Sequence, residues 1–335
     1  MYWIKLRFMF QNRKTYTLVL IFLLFFSTSK PQGINDTIHS AQLKSYLEVL
    51  ASDSMKGRKN YSEELFKCAG FIAREFERIG LKKSAVLESY FQPFTSKLEI
   101  LGTRYSDSAL SASNAKNILL NVIGILPGKS KANEVIIFSA HYDHVGTDSG
   151  LRKDKVFNGA NDNASGTAAV LALANYFSLR NDNERTLVFC AFAGEELGLF
   201  GSEAFVNNTN TRGIKAVINV EMIGRSSVGK NAFFVTGSDQ SDLSSILKKS
   251  LRNIARVVRE PSYEKELFKR SDNYPFAEKG IVAHTIMSSD DDDPCYHKPC
   301  DEIKRIDFEN MAKIVQAIAS ACQTIISGQE TPKKY

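Results

Sequence analysis

Five short runs rich in Val, Ile and Phe alternate with segments of helical periodicity, and this alternation leaves few folds open to the chain. The runs cover 117–126, 134–140, 186–192, 215–221 and 232–236, each bounded by turn-forming residues. Runs that are apolar at nearly every position belong to strands covered on both faces. Between and after them, helical patterns occupy 164–179, 197–207, 242–255 and 308–327. An earlier one lies at 62–79, where Leu65, Ala69, Ile72, Phe76 and Ile79 recur at three- and four-residue spacing and Gly80 ends the run. Strand–helix alternation of this kind predicts an α/β sandwich with a largely parallel sheet. There is no internal repeat, low-complexity tract or long Pro/Gly linker, so 30–335 is expected to be a single domain.

The formal net charge of +6 invites a nucleic-acid or membrane reading until its location is considered. Lys5, Arg7, Arg13 and Lys14 supply four of those charges, with no acidic residue among the first 29. An apolar run from Leu18 to Phe26 and the small residues Ser27, Thr28 and Ser29 follow. This order is that of a secretory signal peptide, with an uncleaved signal anchor as the alternative. The apolar run is short for a membrane span. The mature chain is therefore expected to be exported, periplasmic or extracellular, with no span of its own and no nucleic-acid partner. Of the five cysteines, Cys68 and Cys190 read as small buried hydrophobes. Cys295 and Cys300 suit a local disulfide better than a zinc-thiolate pair, since no second pair accompanies them.

Parallel α/β sheets place ligand sites at the carboxyl ends of their strands. After 134–140 comes His141-Tyr142-Asp143-His144. The loop Gly159-Ala160-Asn161-Asp162-Asn163 precedes a helix. Gly194-Glu195-Glu196 follows 186–192, Glu221 ends 215–221, and an acidic loop ending in Tyr296-His297 follows the apolar segment 281–287. Each feature alone has a plain structural explanation: Asp162 as a helix cap, Glu195-Glu196 as complements to a helix dipole, a lone His as a hydrogen-bonded core residue. Five such segments all bearing imidazole or carboxylate are not explained that way. Neutral imidazole nitrogens with carboxylate oxygens suit Zn²⁺, with Mn²⁺ and Co²⁺ chemically compatible.

These motifs, together with Asn158–Gly166, Phe192–Ser202, Asn219–Gly224, Arg270-Ser271-Asp272 and Pro275-Phe276, follow a known order. The chain resembles the co-catalytic zinc exopeptidases, which include secreted bacterial aminopeptidases, glutamate carboxypeptidase and glutaminyl-cyclase relatives. The resemblance spans roughly residues 40–325 and implies a three-layer αβα sandwich with a mixed, mostly parallel sheet. It further implies two zinc ions bridged by Asp162, with His141 and Glu221 completing one site and Glu196 and His297 the other. Glu195 would be the general base of an aminopeptidase acting on peptides. A single-zinc glutaminyl cyclase, or a carboxypeptidase or dipeptidase, are the alternatives. The family often has Asp where this chain has Glu221, so a site of shifted geometry is expected.

Side-chain placement adds two roles. Asp143, two residues after His141 on an extended chain, is placed to accept the imidazole N–H. Tyr296 is placed to donate to a tetrahedral oxyanion. His144 and His284 read as structural hydrogen-bonding residues. The run from Asp290 to Asp293 reads as a solvated acidic loop, and Asp272 as a support or turn cap. No G-x-S-x-G elbow, H-E-x-x-H helix or phosphate-binding glycine loop is present, which disfavours serine hydrolase, thermolysin-like and nucleotide chemistry.

Overall fold

A computed structural model describes residues 37–101, 117–251, 254–261 and 263–335. The expected leader, 1–29, lies outside the described residues. Among the described residues, eight strands form one sheet: β1 (Phe91–Thr95), β2 (Ile118–Leu126), β3 (Lys131–His141), β4 (Arg185–Phe192), β5 (Ile214–Glu221), β6 (Ala232–Val235), β7 (Arg256–Val258) and β8 (Ala283–Met287), in the order β1-β2-β4-β3-β5-β8-β6-β7. The central four, β4-β3-β5-β8, are mutually parallel. Antiparallel pairings join β2 to β4 and β6 to β8, so the parallel core is flanked by strands running the other way. The sheet is mixed and mostly parallel, as expected.

Strand β4 explains why these runs are apolar throughout. Leu187, Phe189 and Ala191 belong to one core cluster, and Val188, Cys190 and Phe192 to another. Successive side chains point to opposite faces, so both faces must be covered. On the first face lie α1 (Ser40–Leu50), α2 (Glu63–Ile79), α3 (Ser165–Arg180), α5 (Leu243–Ser250) and α7 (Phe308–Ala321). On the second lie α4 (Phe200–Asn207) and α6 (Tyr274–Glu278), where Phe192, Phe205 and Phe276 pack ring against ring. Helix α2 starts where the Ser62 hydroxyl accepts the Leu65 N–H and stops at Gly80, φ 85°.

Three expected helices are shorter than their patterns. The pattern from 197 begins as a 3-10 turn, Glu195–Leu197, and becomes α4 only at Phe200, because Gly198 and Leu199 both have positive φ. The pattern from 242 ends at Ser250, and Arg256–Val258 is a strand paired with β6. The last helix breaks at Cys322. Cys68, Cys190 and Cys322 are free and buried, and Cys295 and Cys300 form the expected disulfide. No helix among the described residues is long and apolar enough to cross a membrane.

Candidate metal centre

The parallel strands β3, β4, β5 and β8 end side by side, and the chemistry predicted from the sequence collects there. His141 is the last residue of β3 and Glu221 the last of β5; Glu195 and Glu196 follow β4, and the loop after β8 carries Tyr296 and His297. Asp162 comes from the turn before α3. Gly166 lets that turn approach β5, because a Cβ there would meet the Val220 carbonyl oxygen at 2.1 Å. The turn is held by Asp301, whose buried carboxylate accepts the N–H groups of Asn161 and Asp162 at 2.9 and 3.0 Å. Asn161 in turn accepts from Gly224 and Arg225 N–H and so ties the turn to the end of β5.

Asp162 stands between two groups. Its Oδ1 lies 3.4 Å from His141 Nε2, and its Oδ2 lies 3.1 Å from His297 Nε2. His297 Nε2 is also 3.1 Å from Glu196 Oε1. Both imidazole nitrogens are buried and face these oxygens without a properly directed hydrogen bond. Donors so converged could hold a cation. Two ligand groups result, His141–Asp162–Glu221 and His144–Asp162–Glu196–His297, and Asp162 is common to both. The donor set of imidazole and carboxylate fits Zn²⁺.

Electrostatics separates the carboxylates. Burial opposes ionisation of Asp162, yet the imidazoles of His141 and His297 hold it far below the usual carboxylate range. Glu196 is likewise desolvated, but His144 and His297 hold it at about 2. Burial pushes Glu195 well above that range, with Glu221 and Asp272 adding to it against the pull of His141. Glu221 is raised to about 7, again chiefly by burial. Desolvation lowers the affinity of His297 for a proton, but Asp162 and Glu196 outweigh it and bring the imidazole to about 10. In the metal-free protein the centre therefore stores protons that a cation would displace.

The surroundings refine several sequence expectations. Asp143 supports His141 through its main-chain oxygen, 3.3 Å from Nδ1, while its carboxylate is 3.8 Å away. That carboxylate instead accepts the N–H groups of Glu195 and Glu196, each at 3.2 Å, and the amide of Asn60 at 2.7 Å. Its work is to shape the Glu195–Glu196 turn. The extra methylene of Glu221 is met by Ser271, whose hydroxyl donates to Oε2 and accepts from Asn219 at 2.7 Å. Asp272, the next residue, is fully buried, and desolvation raises it to about 6. His284 is structural as expected, bonded to Ser241 and the Thr236 carbonyl. His144 departs from expectation by joining the cluster, with Nδ1 2.9 Å from Glu196 Oε1. The acidic loop is also less solvated than its composition implied: Lys265 bridges Asp291 and Asp292 at 2.6 Å, and Arg270 reaches Asp291 at 2.9 Å.

A cavity of about 30 Å³ adjoins the centre. Asp162, Glu195, Glu221, Ser271, Tyr296, Arg270 and Asp291 line it together with the apolar Met222, Leu267 and Met287. That volume suits a water molecule. Tyr296 stacks on His297 with ring centroids 4.0 Å apart, and burial among the carboxylates raises its phenol above the usual range. Sequence reasoning gave no role to Ser271, Asp301 or Arg58. Arg58 is fully buried and donates to the main-chain oxygens of Leu50, Tyr142, Asn158 and Gly159, which ties α1 to the loops bearing His141 and Asp162.

Comparison with known proteins gives a consistent set of likenesses. The model of "Peptidase family M28" matches residues 121–322. Aminopeptidase YwaD of Bacillus subtilis is 30% identical over 222 residues, covering 64% of this chain and 46% of that protein. The chain spans about half the length of the curated relatives it matches. Among solved structures, the LapA aminopeptidase of Legionella pneumophila superposes with a TM-score of 0.65 at 21% identity, covering 87% of this chain and 72% of that one. A glutaminyl cyclase of Bacteroides thetaiotaomicron gives a TM-score of 0.60 at 18% identity, covering 88% and 99%. At these identities the structural likenesses speak for the fold.

Proposed function

The chain belongs to peptidase family M28, and from that premise we propose that it is a zinc-dependent aminopeptidase releasing N-terminal residues from peptides. The observation that carries the reading is the position of Asp162, one oxygen toward His141 and the other toward His297. A carboxylate so placed would serve two ions, one held with His141 and Glu221 and the other with Glu196 and His297. Two divalent cations there would supply Lewis-acid polarisation of the scissile carbonyl and a lowered pKa for the attacking water.

The chain's own groups carry the rest. Glu195, 4.0 Å from His141 Nε2 and lining the cavity, takes the proton of the attacking water. The water oxygen bonds to the carbonyl carbon, the C–N bond then breaks, and Glu195 passes its proton to the departing amine. Tyr296 donates its phenolic hydrogen to the developing oxyanion. Asp143, through the two main-chain N–H groups it accepts, keeps Glu195 and Glu196 facing different tasks. We assign the whole of 30–335 to this one catalytic domain, and 1–29 to a leader that directs export to the periplasm or the medium.

Zinc content of the purified chain and amino-acid release from a peptide panel test the reading together. Two zinc ions per chain and hydrolysis of free but not N-acetylated peptides are expected. Absence of both zinc and released amino acid would refute it. Ammonia from an N-terminal-Gln peptide, without a released amino acid, would indicate the cyclase chemistry instead. A complete His141–Asp162–Glu221 group favours hydrolysis over that single-zinc alternative. Release from N-blocked peptides would redirect the assignment to a carboxypeptidase.

A further inference from the structure

His144 sits three residues after His141 in the same strand-end segment, and the mechanism above gives it no task. It is buried, and its main-chain N–H donates to the Arg58 carbonyl at 3.1 Å. Its ring is confined on two sides. Gly159, φ +56°, lies so close that a Cβ there would come within 2.5 Å of His144 Cδ2. The His297 ring crosses it edge to face, with centroids 5.3 Å apart. This imidazole is fixed in place, with Nδ1 2.9 Å from Glu196 Oε1 and 3.9 Å from Asp162 Oδ2.

Distance decides whether such a group is a ligand or a support for one. Two atoms each about 2.0–2.1 Å from a tetrahedral zinc stand roughly 3.3 Å apart. The contacts of Asp162 with His141 and His297, and of Glu196 with His297, fall at 3.4, 3.1 and 3.1 Å. The His144 contacts straddle that value: the shorter is an ordinary hydrogen bond and the longer is out of range. The second ring nitrogen points the same way. A ligating imidazole gives its remaining N–H to an acceptor, as His141 does toward the Asp143 carbonyl. His144 Nε2 is buried with no partner among the described residues. Ligation through Nδ1 would place a proton at Nε2 with nothing to receive it, whereas donation from Nδ1 leaves Nε2 without one.

The geometry points to His144 as a positioning residue, whose Nδ1–H holds Glu196 so that the Asp162–Glu196–His297 site keeps three protein ligands and an open position. The inference rests on the two-zinc aminopeptidase reading and adds to it the group that orients one ligand.

The full chain, freed of metal and titrated with zinc and separately with cobalt, tests it. With His144→Ala, one ion should bind roughly 10–100-fold more weakly and the other as in the wild type. At saturating cobalt the visible spectrum should keep its wild-type bands, since no ligand has been lost. His144→Asn places an amide N–H near the Nδ1 position and should restore affinity to within a few-fold. If His144→Asn binds as weakly as His144→Ala and its cobalt spectrum changes, His144 is a ligand and the inference is overturned. Wild-type affinity in His144→Ala overturns it as well. So does equal weakening of both ions alongside a lower melting temperature of the zinc-free variant, which would mark a merely structural residue. The parent reading fails differently, in the wild-type chain itself, through fewer than two ions or no released amino acid.

Discussion

Glu195 and Glu196 are neighbours whose electrostatics run in opposite directions. Glu196 faces two imidazoles and sits at about 2, while Glu195, desolvated and beside Glu221 and Asp272, is raised. Glu196 is thus suited to permanent charge and Glu195 to exchanging a proton. Replacing Glu195 by Gln keeps the shape and removes the proton acceptor. Metal content should stay normal while kcat falls by roughly two to four orders of magnitude; a turnover close to wild type would remove Glu195 as the base. Tyr296→Phe removes one hydrogen-bond donor and keeps the ring on His297. A fall in kcat of about 10²–10³-fold at unchanged zinc content is expected, whereas a change in KM alone would mean the tyrosine only lines the cavity. At this scale most candidate ligands were legible because they end or follow a parallel strand, so sequence position reports spatial position; Asp162, in the turn before α3, is the exception. His144 and Ser271 were not legible in that way. Their partners, Glu196 and Glu221, lie 52 and 50 residues away, and no local pattern carries that pairing.

The loop after β8 is the element that sequence periodicity describes least and the site needs most. It places His297 at φ 51°, a left-handed conformation uncommon for a residue with a Cβ. The Cys295–Cys300 disulfide brackets it, and the Asp301 carboxylate just beyond fixes the Asp162 turn. A short closed loop of this kind contributes on the order of 2 kcal/mol in the chain-entropy account. Cys295→Ser with Cys300→Ser should lower the melting temperature of the metal-free chain by a few degrees. Because His297 loses its bracket, zinc affinity of one site should fall while the other holds. Zinc titration and thermal melting of that double variant check both, and unchanged affinity would show that Asp301 and the ion pairs suffice. The central strands were legible because burial on both faces makes them continuously apolar. The outermost strands were harder to read: β1 and β7 pair in the sheet with β2 and β6, and their five and three residues carry no distinctive pattern.

Across the whole molecule, the carboxylates gathered at one sheet edge tie stability to pH and to metal. In the metal-free chain burial raises Glu221 to about 7 and Asp272 to about 6. Burial likewise raises Asp301 to about 6, against the N–H bonds it accepts. Unfolded carboxyls release their protons near pH 4. Between about pH 4 and 7 the folded state therefore binds more protons than the unfolded one, and stability falls as pH rises. His297, at about 10 through Asp162 and Glu196 despite its burial, adds stability that is complete below about pH 6.5 and lost as pH climbs toward 10. Glu196, held at about 2, works the other way, and its contribution is lost only as pH drops below about 4 toward 2. From pH 5 to 8 the raised groups therefore act together, and the melting temperature of the zinc-free protein should fall. Zinc reverses the trend, because it binds deprotonated ligands and its affinity grows with pH. At a thousandfold excess over Kd it contributes about 4 kcal/mol, so the gap between zinc-loaded and zinc-free melting curves should widen from pH 5 to 8. A zinc-free melting temperature that rises over this interval, or a gap that stays constant, would mean that these carboxylates are not the groups a cation displaces.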